Sequence, residues 1–146
     1  MIRSKIKRLN RAEIPYARKL LKDNALPFSD IENESLQLFS IQQKNKTLGI
    51  IGYEQFGKHG LLRSFVIEEK YRSKGLGGQV LIDFEGLAAE AGIENFFLLT
   101  TTAENFFSRN GYQKFNRNAV PDQIAKTTEF NSLCPQSAVC MRKKLD

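Results

Sequence analysis

Between Phe65 and Val80 the chain passes from an apolar strand end through a charged turn and a glycine run into an amphipathic helix, and few folds hold that succession. Phe65-Val66-Ile67 is apolar and partly β-branched, as a buried strand end is. The charged connection Glu68–Lys74 leads to Gly75-Leu76-Gly77-Gly78, where a helical stripe of Leu76, Val80, Phe84, Leu87 and Ala91 begins, flanked by Leu81 and Ala88. Gly92 ends it. Glycines remove the side chains that would keep a ligand off the backbone amides. The helix start adds unpaired N–H groups and a partial positive charge, and Arg72 and Lys74 stand at the rim. The result is an anion pocket suited to a pyrophosphate. Two better-known phosphate loops do not match. The string G-x-x-x-x-G-K-[ST] is absent, and a dinucleotide fingerprint would need a third glycine where Val80 stands, with its glycines directly after the strand.

The rest of the chain supplies a sheet for this turn. Ser4–Leu9 reads as a first strand, and Asn10 as a helix cap with Glu13 three residues on. The helix carries Ile14, Ala17, Leu20 and Leu21 on one face and ends before Pro27. Leu36–Gln43, Leu48–Phe56 and Leu61–Ile67 form an antiparallel meander joined by polar turns, the first alternating Leu36, Leu38 and Ser40 against Gln37, Phe39 and Ile41. Phe96–Thr101 is a continuously apolar strand of the kind buried on both faces. Ala103–Asn110 is helical and closes at Gly111, a short helix falls near Pro121–Lys126, and a last strand runs through Ala138–Met141. With no internal repeat and no linker-like stretch, this predicts one domain over residues 1–146 with a mixed α/β sheet.

Composition narrows the classes. No apolar run approaches the ~20 residues of a membrane span. The basic start, Met1 to Arg8, lacks the apolar segment of a secretory signal, so a cytoplasmic chain without a membrane partner is expected. A net charge of +6 favours anionic partners: nucleic acid, a phosphorylated cofactor or a carboxylated substrate. There is no Trp, and the basic residues are spread along the chain rather than interleaved with aromatics, which ranks nucleic acid last. Cys134, Cys140 and the single His59 cannot assemble a four-ligand zinc site, and no metal is expected. Cys140 reads as core, as does the Phe96, Phe97, Phe106 and Phe107 cluster.

Arg72-Ser73-Lys74-Gly75-Leu76-Gly77 resembles the R-x-x-G-x-G/A acetyl-CoA signature of the GNAT acyltransferases, in its usual place after the fourth strand. Ala103–Tyr112 is similar to that family's second conserved stretch, a short helix ending in Gly-aromatic. Leu61–Ser64, Leu98–Glu104 with Phe106-Phe107, and Glu129–Pro135 with Ser137-Ala138 resemble the arsenic-resistance N-acetyltransferases, themselves similar to short amino-acid acetyltransferases of the N-acetylglutamate synthase type.

The resemblance implies a GNAT-like domain of order β-α-α-β-β-β-α-β-α-β around a central mixed, splayed sheet. It implies acetyl-CoA as co-substrate and acetyl transfer to the primary amine of a small acidic or amino-acid-like molecule, with an arsenic-containing amino acid as one candidate. The chain would work as a monomer or homodimer. By carry-over Phe65, Val66 and Ile67 offer backbone groups to the pantetheine arm and thioester, with a Val66 N–H as oxyanion donor. Arg72, Ser73, Lys74, Gly75, Leu76, Gly77 and Gly78 cradle the pyrophosphate, and Asn105 and Phe107 belong to the cofactor side.

Phe107 stands where many relatives carry the tyrosine that protonates the departing thiolate, so water, Ser108 or Tyr112 would have to substitute. Glu54 and His59 are candidates for the base, against a reading of both as exposed polar residues and ordered water as the proton carrier. Arg63 reads as a guanidinium gripping a substrate carboxylate or as an arginine with its head in water, and the resemblance favours the first. Phe28, Thr100 and Thr101 complete the expected acceptor side. Three readings remain: the transferase (with glutamate as an alternative acceptor), a non-catalytic acetyl-CoA sensor, and, last, a nucleic-acid binder.

Overall fold

In the computed structural model, residues 4–32, 35–72, 75–133 and 137–145 are described. The strands there are β1 (Lys5–Arg8), β2 (Leu36–Gln43), β3 (Lys46–Phe56), β4 (His59–Ile67), β5 (Asn95–Thr100), β6 (Gln113–Lys114) and β7 (Val139–Lys144). The helices are α1 (Ile14–Asp23), α2 (Leu76–Glu90), α3 (Glu104–Arg109) and α4 (Asp122–Ala125). The strands join in one sheet of order β1-β2-β3-β4-β5-β7-β6, antiparallel throughout except for β4 beside β5. The mixed, splayed sheet of the expected fold is present.

Two expectations change in detail. Where two helices were expected between β1 and β2, the described residues hold one α-helix preceded by a 3-10 turn, Arg11–Glu13. The capping box is formed as read: Glu13 N–H donates to Asn10 Oδ1 and Asn10 N–H to Glu13 Oε1, at 3.1 and 3.0 Å. Secondly, the alternation along β2 does not separate core from solvent, because Leu38 to Ile41 are all buried. It separates two cores. Phe39 and Ile41 join the larger cluster with Val80, Leu81 and Phe84 of α2, whereas Leu36 and Leu38 join Ala17 and Leu21 of α1. Burial on both faces is what a central strand between two helical layers must accept.

The same logic runs on through β4. Leu62 faces α2, while Leu61, its neighbour in sequence, packs with Phe97, Ile124 and Phe130 in a third cluster under α4. The face opposite α2 therefore carries two separate apolar clusters, one under α1 and one under α4. Arg63, two residues from Leu61, projects toward the seam between them.

Candidate functional site

β4 and β5 are hydrogen-bonded neighbours only where His59–Leu61 pairs with Asn95–Phe97. Beyond that point they part, β4 running on to Ile67 and β5 to Thr100. A bulge drives the divergence: register against β3 shifts between Ile50 and Gly52, and Ser64 sits at φ +60°, in the left-handed region. A non-glycine residue held there costs on the order of 1 kcal/mol or more, which the surrounding packing must offset. Gly49 answers the bulge from β3, since a Cβ there would run into the Val66 carbonyl.

The cleft so opened holds a cavity of about 650 Å³. Its walls include Phe28, Arg63, Ser64, Phe65, Val66, Ile67, Arg72, Thr100, Thr101, Phe107 and Glu129. A second cavity of about 590 Å³ continues over the start of α2, bounded by Gly75, Gly77, Gly78, Phe106, Arg109 and Asn110. The two share Phe65, Ile67, Arg72, Ala103 and Phe107. They form one groove with an apolar middle.

The glycine end fits a diphosphate. Gly75 caps α2 at φ +73°, and a Cβ on Gly77 would meet the Phe106 ring at 3.1 Å. Arg72 reaches both cavities, donating through Nε to the Ile67 carbonyl at 2.6 Å and through Nη2 to Asn24 Oδ1 at 2.8 Å. Leu76 packs partly into the core beneath. Ser73 and Lys74, expected in the cradle, lie outside the described residues, as does Cys134. Asn105 is exposed on α3 and lines neither cavity.

The other end departs from the sequence reading. Arg63 does line the cavity, but its guanidinium is neither free nor hydrated. It grips Asp30 in a fork, Nη1 and Nη2 each at 2.6 Å, and touches Glu54 through Nη1 at 3.1 Å and Glu129 through Nε at 3.4 Å. Burial works against its charge, and Asp30, Glu129 and Glu54 hold it ionised. Glu54, one of the two candidate bases, is not the exposed polar residue of the alternative reading: it is 4% exposed, accepts from Ser35 at 2.9 Å, and does not line the cavity. His59 lies away from the cavity, its ring edge-on to Phe97. Thr100 Oγ1 is committed to the Ala103 N–H at 2.9 Å, while Thr101 remains exposed beside it.

Phe107 stands between the two cavities, as its position implied. Tyr112, considered as a substitute acid, points elsewhere and donates to Glu85 at 2.8 Å. Asp30 and Glu129 are not among the expected site residues, although Glu129 opens one of the stretches that carry the resemblance. Both are acids beside buried apolar residues, Ile31 and Phe130.

Comparison with known proteins agrees with this geometry. Residues 5–116 match the model of the acetyltransferase (GNAT) family. An uncharacterized N-acetyltransferase of Chlorobaculum tepidum is 29% identical over 79 residues, which is 54% of this chain and 48% of that protein. The match thus spans about half of the relative's length. Among solved structures, N-acetylglutamate synthase of Neisseria gonorrhoeae, complexed with coenzyme A and L-arginine, superposes with a TM-score of 0.80 at 16% identity, over 99% of this chain and 34% of that one. A GNAT-family acetyltransferase of Staphylococcus aureus gives 0.76 at 18% identity, over 98% and 99% of the two chains. With the family model covering most of its length, the splayed strands and the glycine cradle at the start of α2, this chain belongs to the GNAT acetyltransferase family.

Proposed function

We propose that the chain transfers an acetyl group from acetyl-CoA to the primary amine of a small, amino-acid-like molecule seated between β4 and β5. One observation carries the reading: the glycine cradle and the cleft share walls, so a diphosphate at α2 and an acyl group beside Val66 can belong to one extended ligand. In this arrangement Gly75, Gly77 and Gly78, with Ser73 and Lys74, take the pyrophosphate. Phe65 to Ile67 run beside the pantetheine arm, and a backbone N–H near Val66 steadies the oxyanion. Phe28, Thr100 and Thr101 bound the acceptor.

Because Asp30 occupies the Arg63 fork, an acceptor carboxylate would have to displace it or turn to Lys22 and Arg72, the other cations among the described residues lining the cleft cavity. Arg63 is thereby a positioning residue for the acids around it. Candidate acceptors are glutamate and other amino acids, including arsenic-containing ones. Acetyl transfer of this kind needs no metal, nucleic acid or membrane, and in this reading the chain works in the cytoplasm as a monomer or homodimer.

A second reading, a sensor that holds acetyl-CoA without turnover, is favoured by Phe107, which has no proton to give the thiolate. Coenzyme A release over an amino-acid panel separates the two: saturable binding with no release for any amine makes the chain a sensor. Acetyl-CoA at 100 times its Kd should add about 2.7 kcal/mol of apparent stability. Gly77→Glu, placing bulk and negative charge against Phe106 in the cradle, should abolish that gain while the protein stays folded. An undiminished shift would move the cofactor out of this groove.

A further inference from the structure

Glu129 opens the single turn Glu129–Leu133 that follows α4. It is 3% exposed and lines the cleft cavity, and no other carboxylate among the described residues does. A carboxyl group at a dry wall is costly unless cations hold it. Arg63 holds it only at long range. Arg63 gives its fork to Asp30 and an Nη1 contact to Glu54, leaving Glu129 the longest of its contacts, 3.4 Å from Nε, and that Nε makes no hydrogen bond.

The charged groups facing Glu129 come from four separate segments: Asp30 after α1, Glu54 on β3, Arg63 on β4, and Arg117 in the turn between β6 and α4. Counting all four acidic and basic side chains with Glu129 itself, three acids meet two bases. The site is built to hold a proton or a cation.

We infer that Glu129 is the general base of the transfer, receiving a proton from the ammonium of the acceptor across the cavity it lines. The inference rests on the acetyl-transfer reading. The acceptor's N–H bond breaks toward a Glu129 carboxylate oxygen, and the freed lone pair forms the C–N bond at the thioester carbonyl. The C–S bond then breaks, its electron pair leaving with the thiolate. That thiolate gains the second ammonium-derived proton, and Glu129 returns the first to solvent. Products are amide, free thiol and one released proton.

Burial raises the Glu129 carboxyl, Arg63 opposes this, and Glu54 and Asp30 add to it, bringing it to about 7. A base matched to neutral pH is the most effective one there.

Steady-state rates at saturating acetyl-CoA and amine, from pH 5.5 to 9, test the assignment in the full chain. Wild type should gain rate with pH to a plateau, with a midpoint near 7. Glu129→Gln should lose ~10²-fold in kcat together with that limb, as removal of a positioned base does. Its coenzyme A affinity by calorimetry should stay within about twofold, which also reports that it is folded. Glu129→Asp, keeping a carboxyl, should retain the limb at reduced rate. A glutamine variant with wild-type kcat and profile, or an aspartate variant without the limb, overturns the base assignment and leaves the transfer reading standing. A wild-type chain that turns over no amine removes both.

Discussion

Among the described residues, two ion-pair assemblies set largely into the interior are built to opposite rules. In one, Lys143 Nζ donates to Glu85 at 2.8 Å and to the Asn110 carbonyl at 2.9 Å, and Tyr112 donates to the second Glu85 oxygen at 2.8 Å. One cation answers one anion, and each oxygen of Glu85 has its donor. In the other, the one guanidinium of Arg63 is shared by Asp30, Glu54 and Glu129. Lys143, Glu85 and Tyr112 line neither cavity of the groove, whereas Arg63 and Glu129 form part of the cleft wall. An excess of buried negative charge is expensive to keep. Its position at the cleft gives it a use, as a receptor for something positive or for a proton.

The sharpest way to break this comparison is to remove the shared cation. Arg63→Ala leaves three enclosed carboxylates without their partner and should cost about 3–5 kcal/mol of stability, the range for breaking a buried pair. Urea unfolding at pH 8 measures it. The loss should shrink toward pH 5, where protonation relieves the repulsion. A cost under ~1 kcal/mol at pH 8 would mean that the cluster is already hydrated and is no special feature of the cleft.

Next in size is the pH dependence of the intact protein. The Glu129 carboxyl rises on folding from 4.5 to about 7, because burial disfavours its charged form. A group raised in this way contributes stability that is complete below pH 4.5 and lost as pH climbs through 7. The native state holds a proton the unfolded chain has released. At about 1.36 kcal/mol per pH unit, the loss amounts to ~3 kcal/mol by pH 8. Unfolding free energies of wild type and Glu129→Gln across pH 4.5–8 should diverge accordingly, the variant giving the flatter curve. Parallel curves would place Glu129 in water.

These two assemblies also show what a sequence reveals. The glycine end is made of main chain, so its requirements are local: glycines at 75, 77 and 78 within four residues, with a helix beginning at once. Such a feature is legible in a dozen residues. The charged cluster at the other end is made of side chains at positions 30, 54, 63 and 129, four segments that meet only through sheet order and strand faces. Arg63 stands out because it interrupts an apolar strand, but nothing in the sequence ties Asp30, Glu54 or Glu129 to it, so its guanidinium reads as open to a substrate carboxylate or to water. Alternation along β2 misled for a related reason. Period two tells which residues share a face, and only the helices on both sides decide that neither face meets solvent. The splay of β4 from β5 depends likewise on Ser64 at positive φ, a conformation serine does not advertise.

The smallest expected effect separates stability from chemistry most cleanly. Tyr112 sits just past α3, near the position where a thiolate acid would stand, and its hydroxyl is turned inward to Glu85. Burial raises its pKa, and the Glu85 charge and hydrogen bond raise it further, so the proton stays on oxygen throughout the working range. A group that binds its proton this firmly cannot give it to a thiolate whose own pKa lies near 8.5. Tyr112→Phe removes one hydrogen bond to a carboxylate that Lys143 still holds, and should cost ~1.5 kcal/mol of stability. Its kcat should stay within about twofold of wild type with the same pH profile. A tenfold fall in kcat would reassign the balanced assembly to the reaction, and the contrast between the two clusters would then no longer distinguish structure from function.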